Sequence, residues 1–252
     1  MKKNNSVHII YQNEDIAAFY KPYGLLTSPD RWNRQLPNLM DIVHKEFSSQ
    51  WFNAHRLDAD TSGIILCAKN KDSLMKICRQ FEEKTIEKEY VAIVNGCPPQ
   101  NNGRIDLKII KHEHTGKVSV SSKEGSESST VYSVVTIWEN YSLVIAKPLT
   151  GRLHQIRAHF SAAGFPVVCD SIYGKVQRIY LSSLKRNYKR TTKKESPLIE
   201  RLALHAYSLS FINPSDGQII KITAPLPSDM QLTIKYLNKF AHPRNIINCF
   251  FT

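Results

Sequence analysis

No apolar run in this chain approaches the roughly 18 residues that a membrane-spanning helix needs. The start, Met1-Lys2-Lys3-Asn4-Asn5, leads only into Val7-His8-Ile9-Ile10 before Glu14 and Asp15 interrupt, so no signal peptide is expected. Cysteines are few and scattered: Cys67, Cys78, Cys97, Cys169 and Cys249, an odd number with no C-x-x-C pair. That argues against a disulfide framework and a zinc site, and for reduced thiols in a cytoplasmic protein. Isolated histidines such as His44 and His112 suggest no metal cage. There is no internal repeat and no long low-complexity linker. No Gly-rich loop and no regular βαβ alternation support a doubly wound nucleotide fold. Acid is also in short supply: 22 Asp and Glu stand against 34 Lys and Arg, a net charge of +12. Such a balance suits a polyanionic partner, nucleic acid above all.

A hydrophobic content of 42% over 252 residues is enough for a sizeable core. Val7 to Gln12 and Asp15 to Lys21 read as two short strands joined at Asn13-Glu14, and Lys21-Pro22-Tyr23-Gly24 breaks the second. Asn38 to Phe47 reads as a short helix. Gly63 to Ala68 is an apolar run of strand length. Lys71 to Lys84 carries Leu74, Ile77, Cys78 and Phe81 at helical spacing. Tyr90 to Val94 is expected as a buried strand, and Ile105 to Pro148 as hairpins. Leu153 to Ala163 is a predicted helix closed by Gly164 and Pro166. His205 to Ile212 and Gln218 to Thr223 form another hairpin, and Asp229 to Phe240 a last helix. Strands dominate and helices are few. The expected class is α+β, a mixed and largely antiparallel sheet with flanking helices, in one catalytic domain over 1–252.

Two segments concentrate polar chemistry. His55-Arg56-Leu57-Asp58-Ala59-Asp60-Thr61-Ser62-Gly63 is a polar loop entering the apolar run Ile64-Ile65-Leu66. Such a loop is either a catalytic mouth or a turn whose Asp and Thr satisfy backbone donors. Thr150-Gly151-Arg152-Leu153-His154-Gln155-Ile156-Arg157-Ala158-His159 opens the predicted helix, with His154 and Arg157 three apart on one face. It is either an anion site at a helix start or a capped surface helix. A third segment, 175–200, is a basic insertion. Lys175, Arg178, Lys185, Arg186, Lys189, Arg190, Lys193 and Lys194 are eight positive charges with no acid among them, interleaved by Tyr180 and Tyr188. It reads as a solvated loop or as a phosphate-tracking arm with stacking aromatics.

Together these motifs resemble the RluA family of pseudouridine synthases. Residues 55–63 reproduce its H-R-L-D-x-x-T-S-G motif, and residues 150–159 its T-G-R-x-H-Q-I-R-x-H motif. Lys21-Pro22-Tyr23-Gly24, Lys88-Glu89-Tyr90, Gly164-Phe165-Pro166, Asp170-Ser171-Ile172-Tyr173-Gly174 and Arg201-Leu202-Ala203-Leu204-His205-Ala206 follow in the family's order. The resemblance implies a mixed-sheet catalytic domain with a central RNA-binding cleft, and neither cofactor nor metal. It implies that Asp58 is the catalytic carboxylate, acting as nucleophile or as base. It further implies that Arg157 pairs with Asp58, that Tyr90 lies against the flipped base, and that Ile156 packs on the base's other side. Cys169 stands where the family has glycine, which suggests a packing change. No S4 domain is expected ahead of the first strand at about residue 7, so grip on RNA is expected from the catalytic domain and the basic arm.

Isomerisation breaks the N1–C1′ bond, turns the uracil and rejoins it through C5. The uridine must first leave its stack, at a cost of a few kcal/mol. Arg56, two residues from Asp58, has a planar guanidinium suited to the vacated place. The RNA-contact set is completed by His55, Thr61, Arg152, His154, Gln155, Lys185, Arg186, Lys189 and Arg190, while Asp60 reads as structural. The expected partner is structured RNA, large-subunit ribosomal RNA first and tRNA second, for a cytoplasmic monomer without membrane or metal. The rivals are a non-catalytic RNA-binding protein, which would not need Asp58, and a hydrolase, for which Asp58 and Asp60 on one short loop are a poor carboxylate pair.

Overall fold

The computed structural model describes residues 6–31, 33–112, 115–174, 177–188 and 194–246. In chain order the elements are β1 (His8–Gln12), β2 (Ile16–Lys21), α1 (Leu39–Glu46), β3 (Phe52–Asn53), β4 (Ser62–Ala68), α2 (Lys71–Glu82), β5 (Glu87–Asn95), β6 (Asn102–Asp106), β7 (Lys108–His112) and β8 (Lys117–Ser121). They continue with β9 (Ser129–Ile137), β10 (Tyr141–Pro148), α3 (Gln155–Ala162), α4 (Leu181–Leu184), β11 (Leu204–Ile212), β12 (Ile219–Thr223), α5 (Ser228–Phe240) and β13 (Arg244–Asn245). The chain divides into two compact units, 1–89 with 205–226, and 90–204 with 227–252.

In the first unit β2 pairs antiparallel with β1 and β4, β3 pairs antiparallel with β4, and β11 runs parallel to β4 and antiparallel to β12. This is the mixed sheet that the strand pattern predicts. Every residue of β2 and of β4 is buried. Both strands are mostly apolar, Ile16 to Tyr20 and Ile64 to Ala68, because a helix covers each face. Ile16, Ala18, Tyr20, Ile64 and Leu66 meet Ile77 of α2 on one side, together with Leu209 and Phe211 of β11. On the other, Phe19 packs edge-on to Phe47 at 5.1 Å, and Cys67 reaches Met40 of α1. Asn38 and Asn70 cap α1 and α2, their side chains accepting the N–H of Asp41 at 2.9 Å and of Ser73 at 2.8 Å.

In the second unit the strand pairs among the described residues are antiparallel. β10 lies between β5 and β9, β9 also pairs with β6 and β13, and β7–β8 is a separate hairpin. Tyr132 of β9, Phe160 of α3 and Phe165 form an aromatic cluster with ring centroids 5.0–6.1 Å apart. Ile109 and Val118 of the hairpin pack on Ala158 of α3, with Tyr173 alongside. Arg201 makes a two-point ion pair with Asp229 in the first turn of α5, at 2.7 and 2.6 Å.

Three details depart from the sequence reading. The helix expected from Leu153 begins at Gln155, because His154 is left-handed at φ 51 and ends the preceding loop. The two-residue strands β3 and β13 and the four-residue α4 are too short to show periodicity. Cys169 has φ 59, so exchanging glycine there changes backbone preference as well as packing. Cys249, within 247–252, lies outside the described residues.

Candidate active site

Asp58 is half-buried in the loop before β4, and nearly every residue around it is fastened. Leu57 exchanges two hydrogen bonds with Thr27: the hydroxyl donates to its carbonyl at 3.0 Å and accepts its N–H at 3.1 Å. The Ala59 carbonyl accepts the Gly24 N–H at 2.7 Å and the Lys21 ammonium at 3.0 Å. Lys21 is wholly buried and also donates to the carbonyls of Pro22 and Leu25, at 3.0 and 2.7 Å. A buried ammonium engaged by three carbonyls ties the Lys21–Gly24 turn to the Asp58 loop. Thr61, also buried, donates its N–H to the Asp58 carbonyl at 3.1 Å. The Ser62 hydroxyl lies 2.9 Å from Nδ1 of the buried His205. Gly63 completes the loop. Its φ is +126, and a Cβ there would sit 2.2 Å from the Ala206 carbonyl of β11. Only glycine lets β11 approach this closely.

Arg56 is exposed, whereas the neighbouring His55 turns inward. Its Nε2 accepts the Leu66 N–H at 3.0 Å, continuing the ladder where β3 ends, and its ring lies 4.9 Å from that of Phe81. Burial, with the Lys88 charge, holds the imidazole down at about 4. His55 is therefore neutral at pH 7, with its proton on Nδ1.

In the second unit Tyr90 sits in β5 opposite Ala146 of β10, half-buried. Arg157 and Asp170 form a buried two-point pair, both contacts 2.8 Å. Burial pushes the Asp170 carboxyl up, but the guanidinium and the Ile172 and Tyr173 amides outweigh it and hold it below the usual range. Ile156 is buried beside Arg157. His154 stands outside α3, so it shares no helix face with Arg157, but Tyr173 contacts both. The Tyr173 hydroxyl is 2.8 Å from His154 Nδ1, and the Arg157 guanidinium lies 5.4 Å from the tyrosine ring centre. The same hydroxyl accepts the Val118 N–H of the hairpin at 2.9 Å.

Gln155, expected among the RNA contacts, is engaged wholly within the protein. Its oxygen accepts from Thr150 Oγ1 at 2.7 Å and Arg152 N at 3.0 Å. Its nitrogen donates to Ser129 O at 2.9 Å and Thr130 Oγ1 at 3.0 Å. Both N–H groups and both lone pairs are used, so the side chain fixes the Thr150–Arg152 loop. Arg152 itself is exposed, with Nε donating to Glu127 O at 3.2 Å.

The basic insertion has a closed base. Buried Ile179 and Ile199 form an antiparallel bridge, and Glu195 accepts the Ser182 N–H at 2.9 Å. Lys185 and Arg186 are exposed at the end of α4; Lys189 and Arg190, with Lys175 and Lys193, lie outside the described residues. In the sequence, Lys21, Asp170, Tyr173 and His205 stand out only as motif members. Their side-chain roles depend on contacts far along the chain, while Thr27 carries no motif signal at all.

The RNA pseudouridylate synthase family model matches residues 15–162. The chain belongs to the RluA family of pseudouridine synthases. It is 33% identical over 223 residues to the dual-specificity RNA pseudouridine synthase RluA of Salmonella typhi, covering 88% of this chain and 93% of that protein. It is 35% identical over 184 residues to the ribosomal large subunit pseudouridine synthase D of Borreliella burgdorferi, covering 69% of this chain and 56% of that one. The chain thus spans little more than half the length of the Borreliella protein. The solved structure of human RNA pseudouridylate synthase domain containing 1 superposes with TM-score 0.68 over 99% of this chain and 94% of that chain, at 24% identity, a likeness of fold. This family's enzymes isomerise uridine to pseudouridine in RNA. No helix among the described residues is long and apolar enough to cross a membrane.

Proposed function

We propose that this enzyme isomerises specific uridines of large-subunit ribosomal RNA, with Asp58 as its catalytic carboxylate. One observation carries the reading: Asp58 occupies the family's motif position in a loop pinned at Leu57, Ala59, Thr61 and Ser62. A carboxylate carried on a fastened backbone needs less reorganisation when it attacks the flipped nucleotide or removes a proton from it. Arg157, Tyr90 and Ile156 serve that reaction by their match to the second motif and the Lys88–Tyr90 segment. Asp170 balances the buried Arg157 charge and keeps its guanidinium in place. Arg56, exposed beside the pinned Leu57, takes the place that the flipped base leaves. Arg152, Lys185 and Arg186 contact phosphates.

The Borreliella relative's name supports ribosomal RNA. The Salmonella relative's dual-specificity name favours a second substrate class, for which transfer RNA is the candidate. Purified protein on transcripts of both RNAs tests the reading. Pseudouridine appears with the wild type and falls at least about a thousandfold with Asp58→Asn, the scale expected when a covalent or general-base group is removed. Binding without conversion makes the chain a binder, and free uracil makes it a hydrolase.

A further inference from the structure

The loop that Gln155 fixes presents two leucines to solvent. Leu149 is 43% exposed and Leu153 is 38% exposed, at the two ends of the Leu149–Leu153 loop. Single exposed leucines are ordinary. Here the backbone between them is held on several sides. Leu149 N–H donates to Ser129 O at 2.9 Å, and Thr150 Oγ1 accepts the Ser129 N–H at 3.2 Å. The Arg152 N–H is taken by Gln155 at 3.0 Å. A loop so fastened keeps apolar surface in water by construction. Lys147 and Arg152, both exposed, flank and punctuate the pair.

We propose that Leu149 and Leu153 cover the faces of unpaired bases in the RNA substrate, while Lys147 and Arg152 take the adjoining phosphates. This rests on the function proposed above and names how that substrate is gripped. Unpaired bases leave their faces open to solvent, and apolar side chains are groups that cover such faces. The charge beside the leucines fits a polyanion rather than an apolar protein surface. The arrangement favours unpaired over fully paired RNA, because only unpaired or unstacked bases offer their faces.

The test compares the full-length wild type with the Leu149→Ser/Leu153→Ser double variant. The probes are a fluorescent stem-loop RNA with uridines in its loop and a perfectly paired duplex of the same length. Both side chains are exposed, so the melting temperature stays within about 2 °C. The stem-loop Kd rises about tenfold, the duplex Kd is unchanged, and the salt dependence keeps its slope because no phosphate contact is lost. An unchanged stem-loop Kd, or an equal loss on both RNAs, overturns the inference. Pseudouridine formation by the wild type in the stem-loop is read separately. Its absence counts against the function reading for that RNA, while the binding comparison still decides the role of the leucines.

Discussion

His55 stands next to the residue expected to enter the RNA stack, yet its imidazole works inside the protein. It accepts the Leu66 N–H only when Nε2 is unprotonated. Its folded pKa, about 4, lies below the ordinary 6.5. Between those values the unfolded chain binds the proton and the folded one does not, so stability rises with pH across that window. The contribution is complete above about 6.5 and is lost as pH falls toward 4, an effect of about 2 to 3 kcal/mol. Urea midpoints measured from pH 7 down to pH 4 are expected to fall more steeply for the wild type than for His55→Gln. Parallel curves would show that His55 does not titrate as its surroundings dictate.

At the scale of elements, the meeting of β4 and β11 sets the backbone that leads away from Asp58. The Gly63→Ala exchange places a methyl against the Ala206 backbone and forces a non-glycine residue to φ +126. It is expected to destabilise by about 3 kcal/mol or more, or to prevent folding. Gly24→Ala meets open space at φ +77 and is expected to cost only about 1 to 2 kcal/mol. Denaturant midpoints of the two variants check the contrast, and equal losses would refute it.

The elements also show what a sequence makes legible. Asn38 and Asn70 mark helix starts because capping is local chemistry, and β2 and β4 announce themselves as apolar runs. The sequence pattern puts the start of α3 two residues too early, because the left-handed turn at His154 has no glycine to signal it. The motifs single out Asp58 and Arg157. They do not reveal that Lys21 holds Ala59 across 38 residues, or that Ser62 meets His205 across 143. Such contacts are products of strand order, which local spacing does not encode. Gln155 shows the converse: a polar residue inside a functional motif looks like a ligand contact until its four hydrogen bonds are traced within the protein.

For the whole molecule, the excess of 34 bases over 22 acids is the property that RNA meets first. If about five phosphates are neutralised, affinity for structured RNA is expected to fall a hundredfold or more between about 50 and 200 mM salt. Titrations by fluorescence anisotropy read this directly, and a flat response would remove the electrostatic part of the account. Not all the basic insertion is at liberty to bind. Glu195 and Glu200, just beyond its basic run, answer Ser182 and Arg178 and fasten the base of the arm. Lys185 and Arg186 remain outward.

Mapping pseudouridine in total RNA from cells lacking this protein tests whether Asp58 converts uridine to pseudouridine in large-subunit ribosomal RNA. The cells are complemented with the wild type or with Asp58→Asn. One or more sites in that RNA are expected to be lost on deletion, restored by the wild type and not restored by the variant. Restoration by Asp58→Asn, or an unchanged map on deletion with no conversion by the purified wild type, would contradict that expectation.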